Sequence, residues 1–197
     1  MVNKDFELGR QAFHLAFGVA IAMLLKFMLI DEKIILLAII LGLVISYISR
    51  TRKIPIIYHF LERFERKEDI KVFPGKGILS YLIGIFIVLI LGFSMEIVLA
   101  SILILAFGDS VSHVFGLHYG KTKTSLSNKK FIEGALAGFA AAFIGAKLFL
   151  PWHEAFFASL AAMIAETTGI KLGSRQIDDN LFIPLIAASA VWLLRIF

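Results

Sequence analysis

Long apolar runs alternate with short polar segments along the whole chain. Residues 34–41, for example, are apolar without interruption. A helix needs about 20 predominantly apolar residues to cross a bilayer, and fewer where neighbouring helices shield it. Seven segments meet this condition, at about 11–30, 33–49, 78–93, 95–116, 132–150, 153–170 and 181–196. The pattern therefore predicts an all-α polytopic membrane protein, with residues 1–197 forming a single domain of about seven transmembrane helices.

The composition excludes several classes of protein. Hydrophobic residues make up 59% of the 197 residues, above the roughly 45–50% of soluble domains, so a disordered chain and a water-soluble enzyme are excluded. The net charge is +5, but the basic residues lie between apolar runs, which argues against nucleic-acid binding. Cysteine is absent, so disulfides, thiolate metal sites and cysteine nucleophiles are excluded. No small-residue cleavage site follows the first apolar segment, and we expect that segment to be retained.

The basic residues are distributed asymmetrically between the two ends of the predicted spans. Sixteen of the 20 lie on one side of the threaded chain: two before the first span, eight between the second and third, four between the fourth and fifth, and two before the seventh. Because cytoplasmic loops are enriched in lysine and arginine, the N-terminus is predicted to be cytoplasmic and the C-terminus outside. The outer loops are very short, so chemistry on a soluble metabolite is expected at the cytoplasmic face.

Residues 54–67 combine apolar and charged positions in a pattern different from that of the spans. The apolar positions Ile56, Phe60 and Phe64 alternate with charged ones at helical spacing. This pattern predicts an amphipathic helix that lies on the cytoplasmic face of the membrane. A solvated connecting helix is the alternative interpretation.

Five carboxylates are predicted to meet at the inner level of the membrane, where ionisable groups are costly and need a reason. Oxygen ligands suit Mg²⁺, and lysines or backbone N–H groups suit phosphates, so this arrangement is typical of a magnesium–triphosphate site. For any single acid, an ion pair with a neighbouring lysine explains the sequence equally well. The acids are Asp109, Glu133, Glu166, Asp178 and Asp179, and the lysines facing them are Lys76, Lys121, Lys129 and Lys130.

Asp109 lies in a stretch of small and polar residues within the fourth apolar segment. Gly108, Ser112 and Gly116 are four residues apart, a spacing that lets a neighbouring helix approach closely. Asp109 itself is 13 residues after Glu96, which places it in the inner third of the bilayer core. We interpret the small residues as packing positions and Asp109 as a functional residue.

A turn precedes the third apolar segment, with Gly75, Lys76 and Gly77 directly after a proline. Glycine lets the backbone approach a ligand, and the helix that follows directs free N–H groups towards the cytoplasm, as an anion site requires. The spacing is not that of a P-loop. A simple Pro-Gly turn at the membrane boundary is the alternative.

Two further pairs have both a structural and a functional interpretation. Lys130 and Glu133 are three residues apart, so they can pair with each other or face phosphates. Arg10 and His14 share a helix face, where His14 is interpreted as an interhelical histidine and Arg10 as a candidate phosphate contact. The histidines show no metal-ligand spacing, so no zinc site is predicted.

Together these motifs resemble the polyprenol kinase family, which includes dolichol kinases, phytol kinases and CTP-dependent diacylglycerol kinases. Gln11 stands where that family commonly has a lysine, and Phe131 where it commonly has a small hydroxyl residue. The resemblance covers nearly the whole chain. It rests on five motifs in order: Arg10…His14…Gly18, Phe73-Pro74-Gly75-Lys76-Gly77, Gly108-Asp109-Ser110 with Gly116 and Gly120-Lys121, Lys130…Glu133-Gly134…Gly138, and Glu166 with Asp178-Asp179-Asn180…Pro184.

The resemblance implies that Mg²⁺ and CTP are used to phosphorylate the hydroxyl of a membrane isoprenoid alcohol of the polyprenol, dolichol or geranylgeraniol type. It implies catalytic roles for Lys76, Asp109 and Asp179, and a metal site of Asp109 and Asp179 completed by Glu133 or Asp178. The implied nucleotide-contacting residues are Arg10, His14, Gly75, Lys76, Gly77, Gly108, Ser112, Gly120, Lys121, Lys130, Glu133 and Asn180.

Two other functions stay open. A CTP:phosphatidate cytidylyltransferase resembles this chain in its Gly-Asp and Lys-x-x-Glu-Gly motifs but attacks the α-phosphate. The Lys-Asp…Pro-Gly-His-Gly-Gly segment of that family is absent here, which favours the kinase. A small transporter would relay protons or cations, although the carboxylates gather at one face instead of crossing the bilayer. The sequence identifies neither the alcohol nor the oligomeric state, and no base-reading motif separates CTP from ATP.

Overall fold

Helices make up most of the computed structural model, which describes residues 4–52, 54–124, 127–169, 171–172, 175–176 and 178–196. The helices are α1 (Lys4–Lys26), α2 (Glu32–Thr51), α3 (Pro55–Phe64), α4 (Lys67–Val72), α5 (Lys76–Ile90), α6 (Met95–Tyr119), α7 (Ile132–Ala146), α8 (Trp152–Thr168) and α9 (Asp179–Ile196). Each predicted apolar segment thus contains one helix. The predicted amphipathic helix is shorter than expected and is followed by a separate short helix, α4.

Four of the described helices are long and apolar enough to cross a membrane by themselves: α1, α2, α6 and α9. Helices α5 and α7 are apolar but have 15 residues each, and α8 has 17. The prediction of a mainly helical integral membrane protein is therefore confirmed, with four candidate membrane-spanning helices.

Two short hairpins depart from the all-α prediction. Strand β1 (Lys123–Thr124) pairs antiparallel with β2 (Ser127–Phe131), and β3 (Lys171–Leu172) pairs antiparallel with β4 (Arg175–Gln176). Each pair of strands lies between two helices whose linked ends are at the same end of the bundle, and its two strands pair through their backbone groups. Arms this short carry no readable alternation of polar and apolar residues.

Helix α6 is the centre of the bundle. Its residues 97–106 are all buried, and it packs against α1, α7, α8 and α9. Small residues bring α6 and α7 together, since a Cβ atom added at Gly138 would lie 2.7 Å from the carbonyl oxygen of Gly108. The same atom at Gly134 would lie 2.6 Å from the carbonyl oxygen of Ser112. The packing role predicted for Gly108 and Ser112 is therefore confirmed.

The outer faces of the helices are apolar. On α2 only Ile35, Ile39 and Ser46 are buried, while Leu37 and Leu41 are 55% and 53% exposed. Soluble proteins rarely present an apolar surface that runs the length of a helix. These side chains therefore indicate a hydrocarbon environment around the bundle.

The buried charged groups gather at two ends of the bundle. The end that contains the first residues of α1, α5, α7 and α9 is called the polar end below. At the opposite end, Arg195 donates hydrogen bonds to both carboxylate oxygens of buried Glu154, at 3.0 and 2.9 Å. Arg195 also lies 3.6 Å from Glu96. This bidentate pair joins α9 to α8 and α6 where no catalytic residue is predicted.

Gly84 marks a close approach between α5 and the start of α9. A Cβ atom there would lie 2.1 Å from the backbone oxygen of Asn180, and a backbone atom cannot move aside as a side chain can. Gly84→Ala is therefore expected to lower the free energy of unfolding by about 1–3 kcal/mol, measured by thermal unfolding in detergent. Gly9→Ala is the matched control, because the space around Gly9 is open and alanine favours a helix. Equal stability of the two variants would contradict the close approach.

Candidate active site

A cavity of about 390 Å³ lies at the polar end of the bundle. We call it the main cavity. Aromatic rings of α1 and α3 form one wall: Phe13 stacks on Phe64 with ring centroids 4.7 Å apart and meets the edge of Phe60 at 5.2 Å. The predicted amphipathic helix therefore packs its apolar face on α1 and closes the cavity. The ionisable lining residues are Arg10, His14, Glu65, Arg66, Asp69, Lys76, Asp109, His113, Lys130, Asp178 and Asp179.

Three carboxylates from three helices meet beside the main cavity, which two of them, Asp109 and Asp179, line. Oxygen atoms of Asp109, Glu166 and Asp179 all lie within 4.8 Å of one another. Asp109 comes from the second half of α6, Glu166 from the last turn of α8, and Asp179 is the first residue of α9. Three negative charges at this separation repel one another, so the arrangement needs positive charge nearby.

Lys130 provides this positive charge. Its Nζ lies 2.8 Å from Oε1 of Glu166 and 2.9 Å from Oδ2 of Asp179, and it also donates to the backbone oxygen of Glu166. Ser112 donates a hydrogen bond to the same Oε1 atom at 3.3 Å. Burial acts against the charge of Lys130, but Glu166 and Asp179 outweigh burial and raise the pKa of Lys130. The lysine is therefore charged at neutral pH.

Four buried polar atoms around the main cavity have no hydrogen-bond partner. Seven such side-chain atoms occur among the residues that the structure describes. Buried polar groups are normally paired, and an unpaired one costs about 1–3 kcal/mol. The four are Oε1 of Gln11, Nε2 of His14, the hydroxyl of Tyr81 and Oδ1 of Asp179. All four belong to residues that line one cavity. The Tyr81 hydroxyl itself lies against Gly18, and the other three atoms indicate a site that receives a polar ligand.

His14 lies beside Asp109 at the main cavity. Its Nε2 lies 3.7 Å from Oδ2 of Asp109, too far for a hydrogen bond. The ring of Tyr81 meets the His14 ring edge-on with centroids 4.7 Å apart. His14 therefore lies between the carboxylate cluster and the aromatic wall, with a ring nitrogen left for a ligand.

Glu7 holds two guanidinium groups at the edge of the main cavity. Its carboxylate accepts hydrogen bonds from Arg10 at 3.1 Å and from Arg66 at 3.0 and 3.3 Å. Nε2 of His113 lies 3.0 Å away. One carboxylate thus faces two arginines, and Asp69 and Glu68 also act on Arg66. Arginine pairs of this kind suit phosphate oxygens.

The turn before α5 has the conformation that glycine permits, with a φ of 82° at Gly75. The predicted anion site at this turn needs correction, because a carboxylate of the protein lies there. Glu65 accepts hydrogen bonds from the backbone N–H groups of Gly75 at 2.7 Å and Gly77 at 3.3 Å. Burial raises the pKa of Glu65, although these hydrogen bonds act in the opposite direction. A phosphate would reach these N–H groups only by displacing Glu65.

Lys76 lies between two acids at the mouth of the main cavity, 3.6 Å from Asp69 and 3.8 Å from Asp178. Burial raises the pKa of Asp178, although the Asn180 backbone N–H and Lys76 oppose this. The side chain of Asn180 donates to the backbone oxygen of Gly77 at 3.2 Å. Asn180 therefore fastens α9 to α5, while Lys76 and Asp178 face the cavity.

Glu133 does not join the carboxylate cluster, and its predicted metal role is corrected accordingly. Its side chain accepts hydrogen bonds from the backbone N–H groups of Lys121 at 3.2 Å and Thr122 at 3.0 Å. Glu133 belongs to the first turn of α7, and from there it holds the preceding loop. Glu166, which was also predicted among the five carboxylates, does lie in the cluster with Asp109 and Asp179.

Several other predicted nucleotide contacts lie outside the main cavity lining. Lys121 is exposed and absent from the lining. A Cβ atom added at Gly120 would lie 2.3 Å from Cγ of Phe131, and one at Gly108 would lie 3.2 Å from Cβ of Ala142. These two glycines pack against the protein, and Ser112 positions Glu166. The side chain of Lys129 lies outside the described residues.

The sequence pattern gave no site role to Gln11 or Tyr81, whereas Glu166 was predicted to join the carboxylates at the inner level of the membrane. Glu166 carried a signal, because an acid near the end of an apolar segment is costly. Tyr81 is five residues after Lys76 on α5, but a tyrosine in an apolar helix usually indicates packing alone. Gln11 adjoins Arg10 and carried no distinguishing spacing.

The chain is similar over nearly its whole length to a protein of known sequence. This protein is described as "Uncharacterized protein MJ1137" and comes from Methanocaldococcus jannaschii. It is 35% identical over 188 residues, which cover 92% of this chain and 91% of that protein. No protein-family model matches the chain, and no solved structure matches it.

Proposed function

The chain belongs to the same family as MJ1137 of Methanocaldococcus jannaschii, and we propose that it is a lipid kinase, which transfers the γ-phosphoryl group of CTP to the hydroxyl of a membrane isoprenoid alcohol. The resemblance to the polyprenol kinase family supplies the donor and the class of acceptor. The main cavity supplies the physical support: unpaired buried polar atoms, a carboxylate cluster and several cations lie together at one end of an apolar bundle.

In this proposal the bundle crosses the membrane seven times, with the polar end in the cytoplasm and the C-terminus outside. The shorter helices α5, α7 and α8 cross because neighbouring helices shield them. Helix α3 lies at the inner surface, where its aromatic face covers the main cavity. A lipid hydroxyl and a soluble nucleotide can meet at this depth.

The proposed orientation is open to a direct test, because the natural chain has no cysteine. A single cysteine introduced by Glu32→Cys at the opposite end is expected to react with an impermeant maleimide added to intact cells. One introduced by Glu68→Cys at the polar end should react only after the cells are permeabilised. Both side chains are exposed, so burial of either position cannot explain a difference in labelling between them. The reverse labelling pattern would contradict the orientation.

The donor set of the cluster fits Mg²⁺. Asp109, Glu166 and Asp179 offer carboxylate oxygens, the ligands that this cation prefers, and Oδ1 of Asp179 has no other partner. These three residues would hold the ion. Bound magnesium would supply neutralisation of the charge on the phosphates.

The chain's own groups account for the rest of the transfer. Arg10, Arg66 and Lys76 draw the triphosphate into the main cavity. The lipid hydroxyl oxygen forms a bond to the γ-phosphorus while the bond from this phosphorus to the β,γ-bridging oxygen breaks, and CDP leaves. The hydroxyl proton passes to the Asp109–His14 pair. Phosphoryl transfer depends mainly on positioning and on stabilising charge, which this arrangement provides.

The decisive experiment supplies purified protein in lipid vesicles with geranylgeraniol or a longer polyprenol and with CTP labelled in the γ- or the α-phosphate. The proposal expects γ-label in the extracted lipid and none from the α-position. Label from the α-phosphate in the lipid, with γ-label in pyrophosphate, would instead identify a cytidylyltransferase. ATP labelled in the γ-phosphate tests the choice of donor. No labelled lipid from any combination, with ion flux in the same vesicles, would overturn the kinase proposal.

A further inference from the structure

A second cavity, of about 240 Å³, lies between α2, α3 and α5. We call it the side cavity. No ionisable residue lines it, in contrast to the main cavity. Its lining is apolar except for two serines, and it comprises Ala38, Gly42, Ile45, Ser46, Ser49, Ile57, Phe60, Leu61, Pro74, Gly75, Ile78, Leu79 and Leu82. The side cavity thus offers a hydrocarbon environment beside a charged one.

The two serines are unusual because their hydroxyl groups are buried without a partner. Ser46 is only 2% exposed, and neither its hydroxyl nor that of Ser49 makes a hydrogen bond. The two residues are three apart on α2 and therefore share one face of the helix. Serine in a helix commonly satisfies its hydroxyl on a preceding carbonyl, so two unsatisfied hydroxyls in one cavity point to an acceptor that the protein does not supply.

The two serines lie towards one end of the side cavity, and the rest of its lining is apolar. Ser49 lies near the end of α2 that belongs to the polar end of the bundle, and Ala38 lies 11 residues earlier, about 16 Å deeper at 1.5 Å per residue. This order, hydroxyls above and hydrocarbon below, matches the junction between the headgroup and the chain of a membrane lipid.

The two cavities are neighbours. Phe60, Leu61, Gly75 and Ile78 line both of them. A molecule whose polar head lies in the main cavity can therefore extend its chain past α3 into the side cavity. The wall between them consists of apolar side chains and the Gly75 turn.

We propose that the side cavity binds the chain of the lipid alcohol whose hydroxyl reacts in the main cavity, and that Ser46 and Ser49 donate hydrogen bonds to an ether or ester oxygen where chain and headgroup join. This inference rests on the proposed function and narrows its acceptor. A free prenyl alcohol has one oxygen, and that oxygen is needed in the main cavity. An isoprenoid alcohol whose chain is attached through a further oxygen satisfies both cavities at once and is therefore the preferred acceptor.

Binding is tested without nucleotide or turnover, so that its outcome is independent of kinase activity. Two photoreactive probes carry the same chain with a diazirine: a glycerol ether with a free hydroxyl, and the corresponding free alcohol. In nanodiscs of full-length protein, the ether probe is expected to label peptides of α2 and α5. The variant Ser46→Ala/Ser49→Ala should reduce this labelling about tenfold, for two lost hydrogen bonds, and leave the free-alcohol probe unchanged.

Chain occupancy is tested by filling the deep end of the side cavity. Ala38→Phe is expected to reduce labelling by a long-chain ether probe at least fivefold and to spare a short-chain one. Leu41→Phe is the matched control on the lipid-facing side of the same helix, where Leu41 is 53% exposed, and it should change neither. Equal labelling by the long probe in wild type and Ala38→Phe would overturn the proposal. Labelling by the ether probe that survives the serine replacements would also overturn it. Equal labelling by a probe that lacks the hydroxyl would overturn it too, because the cavity would then bind a structural lipid from the bulk membrane.

Discussion

Replacing Asp109 with asparagine is expected to lower the rate of lipid phosphorylation by about 10²–10⁴-fold without lowering the stability of the protein. The substitution keeps the shape of the side chain and removes one negative charge. That charge is needed in the proposal to receive the hydroxyl proton beside His14 and to share the cation with Glu166 and Asp179. The same charge lies within 4.8 Å of two other carboxylates, so its removal relieves repulsion in the folded state.

Two measurements separate the chemical role from a structural one. Transfer of γ-label from CTP to lipid reports the rate, and thermal unfolding in detergent reports stability. Glu32→Gln removes an exposed carboxylate at the opposite end of the bundle and should change neither. Full activity of Asp109→Asn would remove the centre of the proposed mechanism, whereas loss of activity together with loss of folding would assign Asp109 a structural role.

The helices could be predicted because a membrane requires a minimum length of apolar sequence, and this requirement is visible residue by residue. The small residues of α6 were equally readable, since close helix packing requires them at four-residue spacing. The hairpins were missed because their arms of two to five residues carry no period.

The composition of the carboxylate cluster depended on helix rotation, which hydropathy does not determine. Glu133 and Glu166 both lie near helix ends at the polar end, but Gly134 of α7 faces α6. Successive residues of a helix are about 100° apart at 3.6 residues per turn, so Glu133 is turned away from α6 and the cluster. Gly134 and Gly138 lie on the face of α7 that meets α6. Once this face is known, Glu133 is excluded from the carboxylate cluster.

The carboxylate in the predicted anion site could not be inferred in the same way. Glu65 reaches Gly75 across ten residues that include α4. Such a contact depends on how the segment between α3 and α5 folds back, and no periodic pattern specifies this path. The unpaired atoms of Tyr81 and Ser46 belong to the same class, because only three-dimensional packing shows that a buried hydroxyl lacks a partner.

Replacing Lys130 with methionine is expected to lower the free energy of unfolding by about 3–5 kcal/mol. Lys130 is the positive charge that contacts both Glu166 and Asp179, and Glu166 is only 3% exposed. Removing the ammonium group leaves these carboxylates close together in a poorly solvated place. Thermal unfolding in detergent measures the loss. Lys147→Met, at an exposed lysine of the opposite end, should be neutral.

The physical cause can be checked by rescue and by pH. If unpaired charge is the reason, Lys130→Met/Glu166→Gln should recover much of the stability that Lys130→Met loses. If the stability losses of the two substitutions simply add in the double variant, the explanation by unpaired charge is contradicted. Because the pKa of Lys130 is raised in the folded state, its ion pairs contribute fully below the unfolded-chain pKa of about 10.4. This contribution is lost as the pH rises through the folded-state pKa. The wild type should therefore lose stability above about pH 10.4. The Lys130→Met variant should not show this additional loss.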